Sequence, residues 1–385
     1  MSEQDGTQSS SLQRPTSNKP EVWKAYWKKQ DQSWRTEPEI DAERQKYHAE
    51  HRSITPNIEQ GIYPFRGIKL SRADIEWLLA THENGRGPVD WSYEHQRERE
   101  GLDLRGADLR GADLRDLPLA RICGGLTWVD WAHRTEEQHD AAAVLMEGAV
   151  LSGAHLEGAT LIQAHLERTD LRKAHLERTD LRRVHLERAD LWKAHLEGAI
   201  LARAHLDEVL LDGVVLSDEK HIGPQLADIR WNDVNLTVVN WSQVEMLGDE
   251  YRARQKKDFG KAKDKALRIS QYYYSAIRSN RQLAVALRDQ GMNDEADHFA
   301  YRAQLLQRKV LWHQQNFGRW LFSLLLAMLS GYGYRIWRIL VAYVLVVSLF
   351  AVAYFVLGLH YPPHLPLVQA FLESITAFHG RVFLD

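Results

Sequence analysis

Six histidines are the residues whose type and spacing could do chemistry in this chain. His155, His165, His175, His185, His195 and His205 recur every ten positions, with Glu157, Glu167, Glu177, Glu187 and Glu197 beside them. Imidazole titrates near neutral pH and is a common metal ligand, so such a ladder could sense pH or hold metal ions. Zinc, however, needs ligands that converge on one tetrahedral point, whereas a ladder spreads its rings in parallel. Duplication of a ten-residue unit explains the spacing without any site, and a solvated face is the favoured reading. No nucleophile–base pair, glycine-rich phosphate loop or metal-ligand spacing occurs elsewhere. The chain is therefore read as a non-enzyme, with no catalytic residue, cofactor or resident metal expected.

The element that positions the histidines has a period of five. Leu104, Leu109, Leu114 and Leu119 open the pattern, and Leu151 to Leu216 continue it; Leu226, Trp231, Leu236 and Trp241 follow in register. On a helix, five residues turn the side chain by about 140°, so the leucines would spiral round it. On a continuous strand an odd step flips each one to the other face. A small residue two positions before each leucine (Ala154, Ala164, Thr169, Ala174) resolves this, because residues two apart on an extended piece point the same way. Each unit then aims a small and a large residue inward and turns a corner with the rest.

Units such as "GADLR", "AHLEG" and "TDLRK" resemble the A(D/N)LXX pattern of pentapeptide repeat proteins, over roughly Leu102–Ala120 and Ala149–Trp241. The resemblance implies a right-handed quadrilateral β-helix with four pentapeptides per coil, about five or six coils in all. On that geometry His155, His175 and His195 stack on one face, and His165, His185 and His205 on the opposite one. Residues 146–216 carry 12 acidic and 9 basic side chains, and the whole chain has a net charge of −3. Some members of this family imitate DNA and bind topoisomerases through a strongly negative surface. The mixed charge here departs from that pattern, so a DNA-mimic role is disfavoured and no nucleic-acid partner is expected. Cross-coil salt bridges on a solvated wall are the default for the outward Arg, Lys, Glu and Asp.

The expected organisation is multi-domain. Residues 1–20 read as a disordered leader, 21–100 as a small, mostly helical cap region, and 101–243 as the repeat solenoid with a helical insert at 121–143. In the cap region, "LSRADIEWLLATHENGRG" predicts a helix with Ser71 as cap, Ile75, Leu78 and Leu79 as its apolar face, and an Asn-Gly stop. Residues 244–318 predict an α-helical hairpin broken at Gly291–Asn293 and similar to one TPR unit. Alone it cannot bury its face, so it must pack on the solenoid's open end, the membrane-facing segment or another subunit. Residues 319–338 read as an interfacial helix, and "GYGYR" (331–335) as a membrane-interface turn.

Residues 339–359 contain no charge over 21 positions, long enough for one transmembrane helix. Arg319, Arg335 and Arg338 precede this span and no Lys or Arg occurs from His360 to Gly380, which places the N-terminal bulk in the cytoplasm of a single-pass cell-membrane protein. The single cysteine, Cys123, fits a reducing compartment. Residues 360–385 read as a proline turn followed by a short helix, Leu367–Phe378. Span, turn and "SITAFHG" together resemble the outer helix, turret and pore helix of two-helix channel modules, a combination found in some pentapeptide repeat proteins. The resemblance makes Ser374, Thr376, His379 and Gly380 pore-segment candidates. His379 and Gly380 stand where a TxGYG filter would be, and no second span follows, so the expectation is an anchor or an incomplete channel element.

The function read from the sequence is a membrane-anchored interaction or sensing platform. Its expected partners are the lipid bilayer, a protein on the solenoid surface, and a second copy through the membrane segment. The alternative is a subunit of an oligomeric ion channel.

Overall fold

The computed structural model describes residues 14–17, 19–255, 272–330, 332, 336–360 and 366–378. Most of the expected leader, most of "GYGYR", the proline turn, His379 and Gly380 lie outside the described residues. The chain divides into two units, Met1–Ala296 and Asp297–Asp385.

The first unit opens with α1 (Pro20–Lys28), α2 (Ala42–Arg52) and α3 (Arg72–Ala80). Ser71 caps α3 as expected, in a capping box with Asp74, and Ile75, Leu78 and Leu79 are buried. The regular helix ends at Thr81, and one further turn, His82–Gly85, kinked by left-handed Glu83 and Asn84, carries the chain to the expected Asn-Gly stop. Arg52 donates to the carbonyls of Leu78 and Thr81, which occupies acceptors that further helical turns would use. Burial pushes the Asp74 carboxyl up, but hydrogen bonds from His48, Arg44 and Ser71 outweigh it and hold it well below the usual range.

The solenoid is built of coils joined by single-residue parallel bridges. Paired residues stand twenty positions apart: His165 with His185, Asp170 with Asp190, His175 with His195, Asp180 with Ile200. Four such columns run along the wall, one per pentapeptide. No strand longer than one residue occurs among the described residues, so isolated bridges join the coils where the expected β-helix would have strands. The reason lies in the corners. Gln163, Arg168, Lys173, Arg178, Arg183, Arg188 and Lys193 all have positive φ, so every fifth residue turns the chain before a second bridge residue can follow. One unit shows the bonding: Leu166 N–H donates to His185, His185 N–H to Ala164, Arg168 N–H to Glu187, and Thr169 N–H closes the corner on Leu166. A left-handed residue with a side chain costs about 1–2 kcal/mol, and the inter-coil bonds flanking it hold it in place.

Inside, the leucines of the five-residue register from Leu151 to Leu216 and the small residues two positions before them are buried, as the period predicted. The two buried threonines satisfy their hydroxyls on backbone: Thr169 Oγ1 donates to Leu166 O (2.6 Å) and Thr179 Oγ1 to Leu156 O (2.8 Å). The insert forms α4 (Trp128–Trp131) and α5 (Glu136–Ala142), and bridges such as Asp108 with Leu145 and Pro118 with His155 close the wall across it. It lies along the wall through Arg182 over the Trp128 ring, Arg183 over the Trp131 ring, and a hydrogen bond from Trp131 Nε1 to Gln163.

The far end of the solenoid is closed by α6 (Gly248–Arg254) and α7 (Tyr274–Asp289). A last coil leaves backbone N–H groups with no next coil to meet. Side chains replace it: Leu226 N–H donates to Asp249, Asp228 N–H to Gln282, and Leu236 N–H to Gln290. Of the three packing partners open to the expected hairpin, its first helix uses the solenoid end. Burial pushes the Asp249 carboxyl up to about 6, against hydrogen bonds from Leu226, Ser275 and Ser279 that pull it down.

The chain breaks at Gly291, as expected, before α8 (Asn293–His313), most of which lies in the second unit. There α9 (Phe317–Ser330), α10 (Ile336–His360) and α11 (Leu367–Phe378) follow. Helix α10 starts three residues before the expected span, so Trp337 and Arg338 belong to its first turns and not to the interfacial helix.

Two outcomes test this architecture. Gly158 and Gly148 both have positive φ, but a Cβ at Gly158 would stand 2.7 Å from the Trp91 ring, whereas Gly148 faces open space. In thermal melts Gly148→Ala is expected to cost about 1 kcal/mol from strain alone, and Gly158→Ala clearly more; equal losses would remove Trp91 from the wall. For Asp249, the folded pKa lies above the unfolded one, so its contribution is complete below pH 3.8, is lost as pH rises to about 6, and remains unfavourable above that. Asp249→Asn is therefore expected to raise the melting temperature at pH 7.5 and to lose that advantage near pH 4.

Candidate functional site

The bridge position of each pentapeptide is extended, so its side chain and that two residues on both leave the wall on the same side. Where the bridge residue is histidine and the second is glutamate, the two meet. Nδ1 of His155, His165, His175, His185 and His195 lies 2.9, 3.0, 3.1, 3.3 and 3.2 Å from Oε1 of the glutamate two positions later. Coil stacking then lays histidine on histidine. His155 and His175 have ring centroids 4.5 Å apart and planes at 1°; His165 and His185 stand at 4.9 Å and 4°, and His175 and His195 at 4.8 Å and 7°. The two columns expected from the sequence are thus formed.

These columns are half-buried, and burial leaves an imbalance. Oε2 of Glu147, Glu157, Glu167, Glu177, Glu187 and Glu197 is buried without a hydrogen-bond partner. The electrostatic surroundings vary along one column. The hydrogen bond to Glu177 raises the His175 pKa despite burial, with help from the charges of Glu157 and Glu197. Burial pushes the Glu177 carboxyl up, but His175 brings it below its ordinary value, whereas burial prevails at Glu197 and leaves it raised.

The last pair of the other column breaks the pattern. His185 and His205 stand 4.6 Å apart with planes at 48°, and His205 Nδ1 lies 3.4 Å from Glu187, the acid of the preceding coil. The residue two positions after His205 is Asp207, one methylene shorter than glutamate, and its Oδ1 is buried without a partner. The short acid cannot meet its own histidine, so the ring swings to Glu187. The ten-residue spacing pointed to the columns; the Glu-to-Asp change at 207 is the signal in the sequence that marks this departure.

The charged wall carries the expected cross-coil pairs, Arg172 with Asp190 at 3.8 Å, Arg188 with Glu208 at 2.9 Å and Arg203 with Asp228 at 3.7 Å. Beside them, Asp103, Asp108, Asp113, Asp170 and Asp180 pair with Arg105, Arg110, Arg115, Arg172 and Arg182 two positions on, within one coil. Same-side projection favours the near partner over one a coil away.

Two of the pore-segment candidates are described, and each hydroxyl donates to a backbone carbonyl. Ser374 is buried and donates to Val347 O of α10 at 2.8 Å, which fastens α11 to α10. Thr376 donates to Glu373 O of its own helix at 3.0 Å. His379 and Gly380 lie outside the described residues.

Comparison with known proteins identifies the coils. Residues 149–188 and 179–218 match the family model for pentapeptide repeats, with eight copies. Solved structures that match include HetL, a pentapeptide repeat protein involved in heterocyst differentiation regulation in the cyanobacterium Nostoc, at 31% identity over 32% of this chain and 48% of that one, TM-score 0.22. A pentapeptide repeat protein of the cyanobacterium Cyanothece matches at 26% identity over 36% of this chain and 94% of that one, TM-score 0.23. QnrB1, a plasmid-mediated fluoroquinolone resistance protein, matches at 13% identity over 40% and 88%, TM-score 0.18. The chain thus spans about half the length of HetL. No curated protein matches the sequence.

The His175–Glu177 pair has a defined pH window. His175 is raised, so its contribution is complete below the unfolded value of 6.5 and lost as pH rises through the folded one; Glu177 is lowered, so its contribution is present above 4.5. Glu177→Gln is expected to destabilise the chain more at pH 6 than at pH 9 in denaturant titrations. A pH-independent difference would mean that the pair carries no charge coupling.

Proposed function

We propose that this chain, whose solenoid is made of pentapeptide repeats, is a membrane-anchored platform that presents that solenoid to a protein partner. The observation that carries the anchor is the surface of α10. Leu340, Leu345, Leu349, Val352 and Leu357 are 56–70% exposed on a helix of 25 residues. Water would not tolerate so long an apolar surface, and a bilayer of about 30 Å hydrocarbon matches it. The arginines before the span support a cytoplasmic solenoid and a single-pass topology at the cell membrane. The family's protein-interaction roles support a protein ligand for the wall, which we take as a right-handed four-sided β-helix.

A second reading, a subunit of an oligomeric channel, draws on α11: a twelve-residue apolar helix, too short to span, packed along α10. Its Ser374 is engaged by α10, which favours the anchor. The DNA-mimic reading gains nothing from Asp170 and Asp180, which Arg172 and Arg182 neutralise in place.

Membranes from cells expressing the full chain decide the anchor. The protein is expected to stay in the pellet through salt and alkaline carbonate and to leave with detergent. Leu349→Arg, at an insertion cost of about 2.5–3.5 kcal/mol near mid-span, is expected to move it to the carbonate-soluble fraction. Release of the unmodified chain by carbonate would overturn the anchor. Ion flux from purified chain in liposomes would favour the channel reading, and its absence would remove it.

A further inference from the structure

The geometry points to a divalent transition-metal site of the zinc class at His185, Glu187 and His205. This inference rests on the solenoid alone and stands or falls independently of the membrane anchor.

His155, Glu157 and His175, and likewise His175, Glu177 and His195, also bring donors within 4.8 Å of one another, but their parallel imidazoles at 1–7° direct their lone pairs side by side rather than at one point. The 48° tilt of His205 changes that at one place. Glu187 Oε1 lies 3.3 Å from His185 Nδ1 and 3.4 Å from His205 Nδ1, and a donor atom from each of the three residues lies within 4.8 Å of the others. With bonds of about 2.0–2.2 Å, tetrahedral zinc holds its ligands about 3.3–3.5 Å apart. Glu187 Oε1 is therefore near coordination spacing from both imidazoles without an ion to gather them.

Two further observations favour a cation there. Glu187 Oε2 and Asp207 Oδ1 are buried acceptors with no hydrogen-bond partner. Glu187 and Asp207 line an open groove with Glu147 and Glu167, which gives a hydrated ion access to the Glu187 carboxylate. Of the two arginines that line it, Arg168 and Arg188, the second is paired with Glu208. Two histidines and a carboxylate with borderline donors suit zinc and its neighbours better than calcium or magnesium.

The test uses the full-length chain in detergent, with Zn²⁺ alone titrated in competition with a chromophoric chelator. One high-affinity Zn²⁺ per chain is expected, along with a rise in melting temperature. His185→Gln, Glu187→Gln and His205→Gln are each expected to weaken binding about tenfold or more, while His155→Gln, in a parallel stack, leaves it unchanged. Asp207→Glu keeps every ligand but restores the regular pairing, so it is expected to draw His205 away from Glu187 and lower the affinity at least about threefold. This variant keeps the test decisive if the ligand substitutions fail to fold. Absence of stoichiometric Zn²⁺ binding overturns the site, as does binding that the three ligand variants and Asp207→Glu leave unaltered. Equal weakening by His155→Gln also overturns it.

Discussion

Everything in the first unit depends on the backbone bonds that set each residue over the one twenty positions later. They fix the register of the wall to the single residue, because each pentapeptide gives and receives through defined N–H and C=O groups. A slip by one residue would turn the inward leucine column outward, so the bonds and the buried column specify the same alignment. Once the register is set, sequence periodicity becomes spatial order. A residue type repeated every ten positions must appear as two columns, and a pair two positions apart must project from one side.

This is why the solenoid was legible in the sequence. The leucine period excluded a helix and a continuous strand by geometry alone, and the small residue before each leucine disclosed the extended piece. The left-handed corners at Arg168, Lys173 and Arg183 were not legible, since a positive φ carries no residue signature unless the residue is glycine or asparagine. Those corners cut the bridges to single residues. Nor could pattern alone choose between cross-coil and within-coil ion pairs, because both satisfy the alternation of charge. Projection from an extended piece decides it, as Asp170 with Arg172 shows. The solenoid cap was half legible: amphipathic helices were expected, but the use of Asp249, Gln282 and Gln290 as surrogates for a missing coil depends on which N–H groups the last coil leaves open.

In the second unit the sequence marked element bounds better than roles. The short helix Leu367–Phe378 forms where expected. Its hydroxyl residues were read through a family resemblance, and the resemblance carried position without environment. Ser374 finds the carbonyl of Val347 because α11 lies along α10, and a buried hydroxyl must take such a partner. A hydroxyl fastened in this way serves helix packing.

The histidine columns show how a periodic structure can acquire a distinct point. Duplication makes equivalent sites, and in equivalent stacks the parallel rings aim their lone pairs side by side. A difference is needed to tilt one ring, and it must be small enough to leave the backbone bridges intact. Replacing glutamate by aspartate at 207 does this: the His185–His205 bridge persists while the imidazole gives up its own acid for that of the coil before. One methylene at the edge of the repeat array, where the duplicated pattern begins to decay toward the capping helices, is sufficient to turn a structural stack into three converging donors.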